Sequence, residues 1–156
     1  MRCDFHELRV WQKSMDLVVA VYELTGQLPP TERFELARQL RRAVVSVPSN
    51  IAEGNGRAHL GEYIHHLYYA RGSLMEVLTA LEIARRLAYL GETQVATALE
   101  LVDHVGRMLS RLLGRLEAHR RGPSAEGRAP SPASRSSARF QPLQNRNESA
   151  FRSESG

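Results

Sequence analysis

A glutamate and a histidine stand three residues apart at Glu62 and His65, a spacing that places both side chains on one face of a helix. Such a Glu-x-x-His pair ligates iron in di-iron bundles, which require two of these pairs and glutamates from two further helices. The chain has no second pair of this kind, and Glu100 with His104 is the nearest approximation. A metal-dependent enzyme using Glu62 and His65 is therefore an alternative, and the favoured interpretation is a pair of solvent-facing polar residues.

Cys3 is the only cysteine, so an internal disulfide is excluded and a reducing compartment is expected. No sequence pattern pairs Cys3 with a base, and nothing beyond its presence suggests a nucleophile. The glycines of Gly54-Asn-Gly56 follow a predicted helix instead of a strand, so they are interpreted as a helix end and not as a phosphate loop. The sequence therefore predicts no catalytic residue, no metal ligand and no cofactor.

Arginines recur every four residues near the end of the last predicted helix, at Arg107, Arg111 and Arg115, and continue at Arg120 and Arg121. Like charges at this spacing disfavour an isolated helix by about 0.2–0.5 kcal/mol per pair. Guanidinium groups match the geometry of phosphates, so these five residues are the predicted nucleic-acid-binding set, with a solvated helix face as the alternative. Binding is expected to be electrostatic and sequence-tolerant, because no aromatic platform for base stacking stands out.

The net charge of +4 belongs to the C-terminal part of the chain. Residues 119–156 contain seven of the 21 basic and three of the 17 acidic residues, so residues 1–118 contain 14 of each and are neutral. Any nucleic-acid binding by the predicted domain must therefore depend on a local patch of charge.

Apolar residues at steps of three and four predict four helices, over about 5–26, 32–54, 59–89 and 93–119. Asp4 with Glu7 has the form of a capping box before the first helix, and Thr31 is the expected cap of the second. The inward row expected in the first helix is Leu8, Trp11, Met15, Val18 and Tyr22, and the main row of the third is Leu60, Ile64, Leu67, Leu74, Leu78 and Leu81. Four amphipathic helices joined by short loops, with no strand, predict an all-α fold, an antiparallel up-down four-helix bundle.

The second helix carries an apolar stripe and a polar stripe, each at helical spacing. The apolar stripe is Leu36, Leu40, Ala43, Val44, Val47 and Ile51, and the polar stripe is Glu35, Gln39, Arg42, Ser46, Ser49 or Asn50, Glu53 and Arg57. The polar stripe is interpreted either as a surface for a ligand or partner, or as a hydrogen-bonded seam. In the seam, Arg42 and Arg57 would pair with Glu53, Glu76 or a neighbouring subunit.

Two further residues of this region are predicted to be special. Pro48 removes one backbone donor inside the second helix and crowds the carbonyl of Val44, which predicts a kink. Arg71 interrupts the apolar row of the third helix, so it must find a partner or reach solvent.

The composition changes after residue 118, where Ser, Arg, Pro and Gly dominate and large apolar residues are few. This predicts a bundle over residues 1–118 and a disordered tail over residues 119–156. The N-terminus is charged where a signal peptide is apolar, and the longest apolar run, Leu17–Tyr22, is far below the roughly 20 residues of a membrane span. A cytoplasmic protein with no membrane partner is expected.

Residues 5–115 resemble a family of four-helix bundle proteins encoded in intervening sequences of bacterial 23S ribosomal RNA genes. They are also similar to the accessory protein of diversity-generating retroelements. The matching residues are Leu8-Arg-Val-Trp11, Tyr22, Thr25, Gln39-Leu-Arg-Arg42, Ser46-Val-Pro-Ser-Asn-Ile-Ala-Glu-Gly54, Arg57, Ala70-Arg-Gly-Ser73 and Glu76. His59 departs from the pattern, because members carry Ser or Thr there as the cap of the third helix.

The resemblance implies a bundle that assembles into a homo-oligomer, a pentamer in relatives of known structure. It implies an RNA or reverse-transcriptase partner for the retroelement branch alone. It also singles out the motif residues Gln39, Arg42, Ser46, Pro48, Asn50, Glu53, Gly54, Arg57, Arg71 and Glu76. The expectation is a non-enzymatic oligomeric interaction module that binds nucleic acid or a nucleic-acid enzyme, with a purely structural homo-oligomer as the alternative.

Overall fold

The computed structural model describes residues 4–32 and 34–122. These residues form four α-helices, α1 (Arg9–Thr25), α2 (Leu36–Gly56), α3 (Leu60–Arg86) and α4 (Glu92–Arg121), and single 3-10 turns at Phe5–Glu7 and Pro30–Glu32. No described residue lies in a β-strand. Each helix packs on the next one in the chain, and α4 packs back on α1. The predicted all-α up-down four-helix bundle is confirmed. Cys3 and the predicted tail from residue 123 onward lie outside the described residues.

The core is built around α2, whose apolar stripe is buried as predicted. Leu40, Val44, Val47 and Ile51 have no exposed surface. Burial of one such side chain stabilises a fold by about 1.5–3 kcal/mol relative to exposure. The α2 helix continues through Pro48, which is itself buried. The strict helical spacing of the stripe is therefore what brings α1 and α3 against α2.

The inward row predicted for α1 is confirmed only in part, because Leu8, Trp11 and Val18 are half-buried against the core while the fully buried row lies one position earlier. The buried residues are Val10, Ser14, Leu17, Val21, Leu24 and Thr25. Four predicted residues each stand one position after a buried one: Trp11, Met15, Val18 and Tyr22. One position corresponds to about 100° around a helix, so the buried row is rotated by that angle from the predicted row. Met15 is 37% and Tyr22 is 45% exposed. Ser14 can lie in the core because its hydroxyl donates to the Trp11 carbonyl at 2.6 Å.

One predicted cap, Asp4, serves a 3-10 turn instead of α1, and the other, Thr31, lies inside a 3-10 turn before α2. The carboxylate of Asp4 accepts from the His6 amide at 3.0 Å, and α1 begins only at Arg9. Thr31 lies in the 3-10 turn at Pro30–Glu32, and α2 begins at Leu36. The Glu32 amide donates to the Pro29 carbonyl at 2.9 Å. Local turns that follow Asp4 and Pro29 therefore delay both helices by about one turn.

The other helix ends differ less from expectation. α3 ends at Arg86, three residues early, because Ala88 takes a left-handed backbone with φ of 55°. α4 continues to Arg121, so the first residues of the predicted tail are helical. Within α3, Leu78 does not join the buried row and is 37% exposed. Arg71 reaches solvent, as required, and its guanidinium carbon lies 4.7 Å from the centroid of the Tyr68 ring.

The approach of α2 to α3 is closest at Gly54. A Cβ atom on Gly54 would lie 2.7 Å from Cβ of His66 and 2.9 Å from Cδ2 of Tyr63. Both distances are shorter than any ordinary carbon contact. Gly54 therefore lets the end of α2 pack directly on the start of α3.

We expect Gly54→Ala to destabilise the fold by about 1–3 kcal/mol, because the added methyl group overpacks the contact with α3. Gly72→Ala is the matched control, since a Cβ at Gly72 meets nothing within 4 Å. This second change should stabilise the helix by about 0.5–1 kcal/mol. Urea denaturation of the two variants measures both effects, and equal stabilities would contradict the close-contact account.

Candidate nucleic-acid interface and polar seam

A chain of polar contacts joins α2 to α3 and has Ser46 at its centre. Ser73 donates to the Ser46 hydroxyl at 2.8 Å. The Asn50 amide donates to the Ser46 carbonyl at 2.8 Å and to its hydroxyl at 3.0 Å. His66 Nδ1 of α3 lies 3.3 Å from Asn50 Oδ1 of α2. The polar contacts between the two helices therefore extend from Ser46 to Asn50, one turn further along α2.

The seam ends in charged residues. His66 Nε2 lies 3.8 Å from Glu53 Oε1, and Glu53 forms an ion pair with Arg57. The structure thus brings together Ser46, Asn50, Glu53 and Arg57 of the predicted stripe. The sequence analysis does not include His66 in this network. His66 lies on α3, and no pattern in the sequence links it to the polar stripe of α2. The seam positions α3 through directional bonds, while the apolar stripe of α2 provides most of the burial.

The remaining motif residues lie apart from these contacts. Gln39, Arg42 and Glu76 line a groove beside Ser46. Within residues 4–32 and 34–122, Arg42 forms no ion pair, so the expected pairing with Glu53 or Glu76 is not present in the single chain. Pro48 and Gly54 are buried at the helix contact. Arg71 faces a different groove, between α3 and α4.

The predicted arginines of α4 form a face that turns gradually around the helix. A step of four residues advances about 40° around an α-helix. Arg107 and Arg111 line the groove between α3 and α4, where Arg71 joins them. Arg111 and Arg115 line the groove between α1 and α4. We define the arginine face as Arg71, Arg107, Arg111, Arg115, Arg120 and Arg121, together with Arg9 of the groove between α1 and α4.

Ion pairs engage two members of the arginine face. Arg107 pairs with Asp103, and Arg121 lies 3.8 Å from Glu117. Glu117 also accepts a hydrogen bond of 2.5 Å from the Tyr68 hydroxyl, and this bond raises the pKa of Tyr68. Among the described residues, Arg111, Arg115 and Arg120 have no ion pair. Their guanidinium groups are exposed, so they are available to an anion.

Glu82 lines the groove between α3 and α4 but is already committed. Its carboxylate accepts from Arg85 at 2.8 Å and from Arg86 at 2.7 Å. These bonds lower the pKa of Glu82 from 4.5 to about 2. The same pairing, with Glu92, raises the pKa of Arg85. Glu82 is therefore held by the arginines at the end of α3 and pairs with neither Arg71 nor Arg111.

The possible metal pair lies on the exposed side of α3. His65 Nε2 lies 2.8 Å from the Tyr69 hydroxyl, and the two rings meet edge to face. Within the part of the chain that the structure describes, no group of three or more His, Cys, Asp and Glu side chains could hold a metal ion. The described residues thus offer Glu62 and His65 no further ligands.

A second basic groove, between α1 and α2, was missed by the sequence reasoning. It contains two exposed aromatic side chains, Tyr22 and Phe34, which the sequence analysis did not single out. We call it the aromatic groove, and its lining is Tyr22, Phe34, Arg38, Arg41, Arg42, Val45 and Ser46. The sequence analysis predicts Tyr22 to be a core residue of α1, and that prediction hides its place in the groove.

None of the described helices combines the length and apolar composition that a membrane span requires.

The fold and these surfaces define an α-helical bundle with a polar seam between its central helices and arginines on its outer faces. A family model described as 23S rRNA-intervening sequence protein matches residues 6–111. The chain belongs to this family. The resemblance inferred from the motif residues is thereby confirmed.

Solved structures support the same fold. One similar structure is a protein of unknown function from the S23 ribosomal protein family of Bacteroides thetaiotaomicron. It aligns with a TM-score of 0.63 and 22% sequence identity, over 67% of this chain and 97% of that chain. The comparison with curated proteins returned no match.

We expect the lowered pKa of Glu82 to produce a pH dependence of stability. The contribution of its ion pairs is complete above the unfolded pKa of 4.5 and is lost as the pH falls toward about 2. The melting temperature of the full chain should therefore fall more steeply between about pH 5 and pH 2.5 than that of Glu82→Gln.

Glu100→Gln is the control, because Glu100 is an exposed α4 carboxylate with no ion pair among the described residues. Its melting curve should follow that of the unsubstituted chain. Parallel pH profiles for Glu82→Gln and the unsubstituted chain would show that the contacts with Arg85 and Arg86 add no stability.

Proposed function

We propose that this protein is a non-enzymatic, homo-oligomeric interaction module of the cytoplasm that binds nucleic acid, or a nucleic-acid enzyme such as a reverse transcriptase, through its arginine face. The observation that carries the proposal is the set of three guanidinium groups without ion pairs, at Arg111, Arg115 and Arg120. The histidines near the possible metal pair make structural contacts, His65 with Tyr69 and His66 with Asn50 of the polar seam.

Charge favours a polyanion as the partner of the arginine face. Guanidinium groups bind phosphate oxygens in pairs, and each neutralised phosphate releases condensed counterions. Arg111 lines both of the grooves that flank α4, so a backbone crossing α4 would meet arginines on either side. Five further arginines follow Arg121 in the sequence and add attraction.

Binding through this face is expected to tolerate many sequences. Most arginines of the face extend along α4, and the neighbouring helices α1 and α3 contribute Arg9 and Arg71. This extended arrangement is suited to contacts with a phosphate backbone more than to contacts with base edges. In a homo-oligomer the face repeats about the symmetry axis. Weak contacts to one long polyanion then add through effective concentration.

Self-association is supported by the outward side of α3. Two apolar side chains of α3 are exposed, Tyr69 at 53% and Ile83 at 41%, and Leu87 directly after the helix is 54% exposed. Large apolar side chains exposed on one surface mark a site of contact with another chain. The family resemblance implies five copies. A homo-oligomer with no nucleic-acid partner is the second candidate function, and the same side of α3 favours it.

The first test measures affinity for scrambled-sequence duplex DNA across a salt series. We expect a steep salt slope for the full chain and a slope smaller by about 2 for the double variant Arg111→Gln with Arg115→Gln. The control is Arg57→Gln, which removes a positive charge from an exposed residue that lines neither groove of α4, and it should keep the slope. Absence of binding by the full chain at low salt would favour the purely structural module.

The second test concerns assembly. Ile83→Glu should lower the mass measured by sedimentation equilibrium, because a carboxylate on the outward side of α3 would have to be buried between copies. Val19→Glu makes the same change at a residue of α1 that is 58% exposed, and it should leave the mass unchanged. An unaltered mass for Ile83→Glu would remove this side of α3 from the assembly interface.

A further inference from the structure

The aromatic groove combines apolar surface with positive charge in one open site. Phe34 is 73% exposed and Tyr22 is 45% exposed, although both are side chains that normally avoid water. Val45, which is 41% exposed, lies between the arginines on the floor of the groove. The groove has a volume of about 690 Å³, within the roughly 300–1,000 Å³ of sites for small organic ligands.

Arg41 is held in place by two contacts to α1. Its Nε donates to the Thr25 hydroxyl at 2.9 Å. Its guanidinium carbon lies 5.3 Å from the centroid of the Tyr22 ring. The Nε contact leaves the two terminal nitrogens of Arg41 free to donate to a ligand. A guanidinium that is already oriented loses little freedom when it binds an anion.

No carboxylate lines the groove, although three arginines do. Arg38 and Arg42 have no ion pair among residues 4–32 and 34–122. Glu35 and Glu76 line the adjoining groove together with Arg38 and Arg42, but they lie outside the aromatic groove. An occupant that supplies negative charge and a flat apolar surface therefore complements the arginines and the two aromatic rings of this groove. Unpaired nucleotides have both properties, since each one carries a phosphate and a base with an exposed face.

We propose that the aromatic groove binds unpaired nucleotides of single-stranded nucleic acid, with bases stacked on Phe34 and Tyr22 and phosphates bound by Arg38, Arg41 and Arg42. This site is separate from the arginine face of α4 and adds a strand preference to the proposed function. Duplex nucleic acid does not fit this groove, because its bases are already stacked on each other and present no free face to Phe34.

A second copy of this chain is the competing occupant. An isologous contact would bring the same three arginines of both copies together, and such like-charge contacts are unfavourable. In a ring of copies the groove would instead face a different surface of its neighbour, and that surface would have to supply carboxylates to the three arginines. The exposed apolar side of α3 carries no such cluster of positive charge. The groove is therefore better suited to a polyanion than to a copy of itself.

The test compares a labelled single-stranded RNA of mixed sequence with the same sequence as a duplex, using the full chain and fluorescence anisotropy. Phe34→Ala should weaken single-strand binding by about five- to a hundredfold, the range expected for loss of one stacked base. Duplex binding should stay unchanged. Val19→Ala is the control, because it truncates an apolar side chain that is 58% exposed on α1 and lies outside the groove.

A cross-linking experiment locates the contact directly. Single-stranded RNA containing 5-bromouridine should cross-link to a peptide that contains Phe34 or Tyr22, as read by mass spectrometry. Equal loss of single-strand and duplex binding on Phe34→Ala, or no loss, would overturn the inference. A change in oligomeric mass without a selective binding loss would assign the groove to a second copy.

The two proposals fail in different ways. Duplex binding that depends on Arg111 and Arg115, without any effect of Phe34→Ala, leaves the proposed function standing and removes the aromatic groove. Single-strand binding that depends on Phe34 and not on Arg111 or Arg115 keeps the aromatic groove and removes the arginine face. Absence of binding to either RNA at low salt removes both.

Discussion

The direct contact between α2 and α3 is the constraint on which the other surfaces of this bundle depend. A side chain at Gly54 would overlap Tyr63 and His66, and the hydroxyls of Ser46 and Ser73 are within hydrogen-bonding distance at 2.8 Å. These two contacts lie about two turns apart along α2. Together they fix both the distance between the helices and the rotation of each helix about its own axis.

The rotation of α2 determines what every other side of the helix presents. With Ser46 turned toward α3 and the apolar stripe turned to the core, Arg41 must point toward α1. Arg38 and Arg42 then occupy the outer side between these two directions, where each of them lines two grooves. The basic lining of the aromatic groove is thus a geometric consequence of the seam, and Ser46 itself borders both.

The distribution of ion pairs shows why a neutral domain can still carry local charge. Several acidic residues pair with arginines three or four positions away on their own helix, as Asp103 does with Arg107 and Glu82 with Arg86. Exposed pairs of this kind add little stability, but they neutralise charge locally. Arginines without a carboxylate at such a spacing, such as Arg111, keep their full charge. Local patches therefore depend on spacing within each helix, which the overall charge conceals.

Sequence periodicity predicts the buried residues of a helix correctly when the helix is apolar on one side only, and it fails when two neighbouring sides are apolar. The α2 stripe was predicted in full, because Leu40, Val44, Val47 and Ile51 have one consistent spacing. In α1 two neighbouring rows compete, and the row with aromatic residues is the more apolar in appearance. The buried row contains Ser14, whose hydroxyl is satisfied by its own helix, a contact that periodicity cannot reveal.

The polar residues illustrate the same limit. Ser46, Asn50, Glu53 and Arg57 were grouped correctly, because they share one side of a single helix. Their partners His66 and Ser73 lie on another helix, and only the register of α2 against α3 selects them. Asp4 and Thr31 have the chemistry of helix caps, yet short turns around Pro29 and Phe5 intervene between them and the α-helices. Local chemistry identifies what a residue can bond to, whereas packing decides which partner is present.

The one-position rotation of α1 is also what creates the aromatic groove. If the predicted row had faced inward, Tyr22 would lie in the core and the groove would have lost one of its aromatic side chains. Instead Thr25 is buried next to α2, where its hydroxyl accepts from Arg41 while donating to the Tyr22 carbonyl. That single hydroxyl holds the guanidinium over the outward ring. Thr25, a buried polar residue that apolar periodicity does not predict, therefore positions Arg41 in the exposed groove.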